Sequence, residues 1–226
     1  AVDVEYMDAV FVRDLLQLAE SDADNGRAEH IKSLALEVVL AFNLQFAEKD
    51  PFVSQKRRSR QALAPFSSNT VLKALSQFAL DCKHKNISDR LLKLANRLSD
   101  PLNVPEFAEQ CENRTEKQNS VLKLLVDLFT DDTLAQCFFG ISDLQVLVDI
   151  SLREIEDKEP DDVQRLQFVQ LLAEIATRSA YEQLEPELKN TQIRPTLEML
   201  SKEANSSRSK VVEMIARVAR ESLRLM

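Results

Sequence analysis

Glycine is almost missing from this chain. Only Gly26 and Gly140 occur in 226 residues, roughly an eighth of ordinary usage. Phosphate-cradling loops, two-residue β-hairpins and dinucleotide-binding turns draw heavily on glycine, so this composition argues against all three. Histidine is as scarce, with only His30 and His84. The three cysteines, Cys82, Cys111 and Cys137, are odd in number and show no CxxC spacing. They read as buried free thiols rather than a redox or metal set. No apolar run approaches the ~18 residues of a membrane span. No signal peptide opens the sequence. The chain begins "AVDVEYMDAV", without an initiator Met, and is expected to be an excised part of a longer protein.

Catalytic signatures are absent as well. The sequence contains no P-loop, GxSxG or HExxH. His84 stands two residues from Cys82 among lysines, too little for a zinc site or a nucleophile–base pair. No catalytic, cofactor-binding or metal-binding residue is assigned, and no enzyme activity is expected. The net charge of −8 and pI of 5.0 argue against a nucleic-acid binder, which usually carries a basic face, and suit a partner with basic patches.

What the chain has is helix formers: Leu, Ala, Glu, Lys, Gln and Arg dominate. Helical apolar spacing predicts a first helix over 6–20, with Val10, Phe11, Leu15 and Leu18 inward. A second follows over 27–48, apolar almost all round from Ile31 to Phe46 and so expected to be packed on several sides. An internal loop with a basic tip, "KRRSR" at Lys56 to Arg60, occupies residues 50–67. Beyond it a helix starts near Ser68. Asn86 and Asp89 suit the N-terminus of another over 87–98. "SVLKLLVDLF" (Ser120 to Phe129) precedes a two-turn helix that stops at Phe139. Gly140 is expected at the C′ position of that short helix in a left-handed conformation. Ser142 and Gln145 are expected to form a capping box for a helix over 143–157. Asp161 and Gln164 are expected to cap the helix to Arg178, and an amphipathic helix closes the chain over 206–226. A long, a short and a second long helix within some 40 residues, from Lys117 to Lys158, is the spacing of an armadillo-like repeat. The expected fold is therefore all-α, a single armadillo-like helical solenoid over 1–226, with a globular helical bundle as the alternative.

Two stretches go further than spacing. "SVLKLLVDLFTDDTLAQCFFGISDLQVLVDISLREI" (Ser120 to Ile155) and "RLQFVQLLAEIATRSAYEQ" (Arg165 to Gln183), with "LEVVLAFNLQF" (Leu36 to Phe46) more weakly, resemble the leucine-rich, armadillo-like C-terminal domain of the NCK-interacting protein with SH3 domain family, also called WISH/DIP. Phe138, Phe139, Asp143, Leu144, Leu147, Asp149 and Ile150 stand at its pattern positions. Phe139 replaces a common tyrosine there, and Gly140-Ile141 replaces a more polar turn. The resemblance implies a domain that binds the actin-related protein 2/3 complex and activates it without a mother filament, so that linear actin filaments form. It implies a cytoplasmic place at the cell cortex or endocytic sites. The rival reading is a generic adaptor for a helical or extended peptide.

Partner-contact candidates follow from charge and expected exposure. On the closing helix Arg217, Arg220 and Arg224 form a row with Lys210 nearby; arginine makes bidentate, weakly hydrated pairs. Gln164, Gln167 and Arg178 are expected along an open groove. Lys56, Arg57 and Arg58 mark the basic loop, and six acidic residues in "REIEDKEPDD" (Arg153 to Asp162) form an acidic turn. A homodimer is compatible with the sequence; nucleic acid and membrane insertion are not expected.

Overall fold

The computed structural model describes residues 9–22, 26–44, 70–79, 85–98, 119–203 and 209–226. Every regular element among them is helical: α1 (Ala9–Glu20), α2 (Gly26–Leu44), α3 (Thr70–Ala79), α4 (Lys85–Asn96), α5 (Ser120–Phe129), α6 (Asp132–Phe138), α7 (Ile141–Asp157), α8 (Val163–Ala176), α9 (Ser179–Glu182), α10 (Pro186–Leu188), a π-helical turn (Lys189–Ile193), α11 (Arg194–Glu203) and α12 (Lys210–Leu225). The fold is all-α. Cys137 is a half-buried free thiol; the other two cysteines, the loop over 50–67 and its basic tip lie outside the described residues.

At the start of the chain the helices form as expected but present different faces. The spacing placed Val10, Phe11 and Leu18 inward. Instead Val12, Leu16 and Ala19 are buried, while Val10 is 53% exposed. Both sides of α1 carry apolar residues at helical spacing. The buried side is the one that packs on α2, α3 and α4 together. α2 packs on α1, α3 and α5, yet is not enclosed. Ala35, Leu36, Val39, Leu40 and Phe42 are buried, whereas Ile31, Leu34 and Val38 form an exposed row. Asn43 is fully buried and donates from Nδ2 to Asp127 Oδ2 at 2.9 Å, which ties α2 to α5. Glu29 joins Lys32 and, across to α4, Arg90. Hydrogen bonds from Lys32 and then Arg90 hold its carboxyl below the usual carboxylate range.

The N-terminus of α4 is capped from a distance. Asn86 is inside the helix, not before it. The Asn86 and Ile87 N–H groups donate to the Glu20 carboxylate at 3.0 and 2.9 Å, and Asn86 Nδ2 donates to the Glu20 carbonyl at 2.8 Å. The last residue of α1 thus fills the role normally taken by a local cap, satisfying two of the orphan donors that open any helix.

The corner between α6 and α7 corrects the role expected for Gly140. The two helix axes turn by 102° there. Asp131 caps α6, accepting from Thr133 and Leu134 N–H, and α6 closes at Phe139. Phe139 is extended, and its ring stacks on Phe129 with centroids 5.3 Å apart. Gly140 has φ −78° and ψ 173°. This is ordinary extended backbone, not the left-handed region. Gly140 is the N-cap of α7: its N–H donates to Asp143 Oδ2 at 3.0 Å and its carbonyl accepts from Leu144 N–H at 2.9 Å. The Ser142–Gln145 box is replaced by this Asp143 contact. One helix later, Asp162 rather than Asp161 is the cap, accepting from Gln164 N–H at 2.7 Å.

α8 is the centre of the packing. Eleven of its fourteen residues are buried, and it touches α5, α7, α9 and α12. Eight of the buried residues are apolar, and they lie all round the helix: Leu166, Phe168, Val169, Leu171, Leu172, Ala173, Ile175 and Ala176. Its polar residues are used internally. Arg165, 5% exposed, makes a bidentate pair with Glu203 at 2.8 and 2.9 Å and donates from Nε to the Ile155 carbonyl at 2.8 Å. One guanidinium therefore joins α7, α8 and α11.

Two stability predictions come from these contacts. Gly140→Ser should be tolerated and stabilise by a few tenths of a kcal/mol, because serine is the better N-cap. A new Cβ would meet only Asp143 Oδ2 at 3.5 Å. A fall in melting temperature of several degrees would contradict the cap assignment. Arg165→Ala should cost about 2–4 kcal/mol in chemical denaturation, since it strands a partly buried carboxylate and a carbonyl. The double substitution Arg165→Met with Glu203→Leu should recover much of that loss.

Candidate partner-binding surface

α12 packs on α8 and α11 through a broad band. Val212, Met214, Ile215, Ala216, Val218, Ala219 and Ser222 are buried. Val211 is only half-buried and Leu225 is 73% exposed. The helix is sealed on its inner side by alanines, which let neighbouring helices approach closely. That leaves a charged outer side. Lys210, Arg220 and Arg224 are exposed there and Arg217 is half-buried, with Glu213 and Glu221 exposed between them. Arg220 Nε donates to the Ala216 carbonyl at 3.1 Å, which fixes its stem along the helix. The predicted cationic row thus exists as one row, with Arg217 its least accessible member.

Among the described residues, Gln164 to Arg178 do not line an open groove, because α8 is enclosed. Gln167 is 4% exposed and its Oε1 accepts from Asn119 N–H at 3.2 Å, holding the residue whose side chain caps α5. Gln164 is half-buried at the first turn of α8. Arg178, also half-buried, pairs with Glu174 at 3.3 Å. Gln167 is thus tied into the interior, and none of the three is exposed. Lys56, Arg57 and Arg58 lie outside the described residues. The acidic turn keeps most of its charge outside, with Glu156, Asp157, Glu159 and Asp161 exposed. Glu154 is the exception. It is 1% exposed and held by Arg153 at 3.0 Å and Lys158 at 3.4 Å.

An open groove lies elsewhere, between α7 and the segment from Glu185 to Gln192. It has a volume of about 370 Å³ and is lined by Gln145, Asp149, Glu185, Glu187, Leu188 and Gln192. No lysine or arginine lines it. Asp149, Glu185 and Glu187 are exposed. At its edge Lys189 turns away: its Nζ lies 5.0 Å above the Tyr181 ring and donates to the Glu182 carbonyl at 3.0 Å. Burial raises the Tyr181 phenol above its usual value, against the opposing charge of Arg194. Sequence reasoning missed this groove because its walls come from helices some 40 residues apart. The only local signal was the proline-bounded irregular piece around Pro186. Among the described residues no three His, Cys, Asp or Glu side chains converge as a metal site would require. No single described helix is long and apolar enough to cross a membrane.

The described residues thus form an all-helical scaffold with a buried central helix, a charged outer row and an open groove. Residues 28–193 match the family model "SPIN90/Ldb17, leucine-rich domain", and the chain belongs to that family. The matched residues run from the first turn of α2 to the end of the π-helical turn.

Contacts of the described core extend past the match on both sides. α1 precedes it and caps α4; α12 follows it and packs on α8, and α11 packs on α12 and pairs with α8 through Glu203. A fragment limited to residues 28–193 is therefore expected to lose cooperative unfolding and to expose α8. A circular-dichroism melt of the fragment against the whole chain checks this, and an equally sharp transition would refute it.

Proposed function

We propose that this domain binds the actin-related protein 2/3 complex and activates it without a pre-existing mother filament, so that linear actin filaments are nucleated. The family match over residues 28–193 carries this reading. In it the domain is a binding module, not an enzyme, and its action is a population shift. A preformed surface stabilises whichever arrangement of the complex it contacts better, to the extent of its differential affinity. The favoured arrangement is the one that places the two actin-related subunits like a filament end. The rigidity needed for such selection is supported by the buried α8 and its internal polar pairs. The domain works in the cytoplasm, at the cell cortex or endocytic sites.

The direct test is pyrene-actin assembly with purified complex and no seed filaments. The domain should shorten the lag, and single-filament imaging should show unbranched products. A domain that only tethers would bind the complex and leave the lag unchanged.

The contact we assign is the outer row of α12. Reversing Lys210, Arg220 and Arg224 to Glu should leave helix content and melting nearly unchanged, because exposed charges contribute little to stability. Affinity for the complex should fall by about tenfold or more, since interface arginines are frequent hot spots. Wild-type affinity should also weaken with salt, as partly exposed pairs are screened beyond about 8 Å at physiological ionic strength. Arg217 is left in place because its half-buried side chain would confound folding with binding. A folded triple variant that activates as well as wild type would remove α12 from the interface.

A further inference from the structure

We draw no further inference here: the strongest candidate, the exposed apolar row of Ile31, Leu34 and Val38 on the outer face of α2, is an unpartnered helix face, and nothing in the structure shows what covers it.

Discussion

The rest of the molecule is arranged around the need to bury α8. A helix that is apolar on every side must be surrounded, and α5, α7, α9 and α12 do the surrounding. Burial on that scale also traps polar side chains, each of which is costly unless satisfied. The molecule meets this with directed pairs. Arg165 reaches Glu203 and the Ile155 carbonyl, Gln167 holds Asn119, and Glu174 takes Arg178. Apolar packing alone would let α8 slide or rotate at small cost. These pairs set its register against α5, α7 and α11.

That constraint decides where recognition can occur. Every side chain that α8 commits to the interior is withdrawn from solvent, so the exposed charge and the open surface lie on the periphery: the outer side of α12, the exposed acids after α7, and the groove between α7 and residues 185–192. The outer side of α12 mixes its cations with Glu213 and Glu221, whereas no lysine or arginine lines the groove. A scaffold of this kind holds its charges in a fixed arrangement before any partner arrives, which keeps the ordering cost of association low.

The sequence made helix existence legible and left helix orientation and capping largely hidden. Leu and Val at helical spacing were enough to place α5 and α7. The burial of these two helices came out opposite to the reading: α2, read as packed on several sides, keeps an exposed row, whereas α8, read as lining an open groove, is enclosed. Periodicity reports what a helix could bury, not how many neighbours reach it. Caps failed for a related reason. The local rule chose Asn86, but the group that caps α4 is Glu20, 66 residues earlier. The local rule read Gly140 as a left-handed stop because glycine is scarce, while the chain there is extended, beside the stacked rings of Phe139 and Phe129. Among the candidate contacts, the α12 row was readable because a closing helix has one free side. Gln167 and Arg165 look like surface letters, and only their distant partners show that they are interior.

The corner at Phe139 and Gly140 has an evolutionary consequence. The change of direction rests on the Asp131 cap, the reach of Asp143 to the Gly140 amide and the two stacked rings. None of these requires glycine. The 102° turn is therefore separable from the identity of the residue at its apex, which faces solvent. Relatives can vary that residue, altering the charge or bulk displayed at an outward corner, while the helices on either side keep their angle. The fold has in effect a presentation site whose chemistry can drift without disturbing its frame.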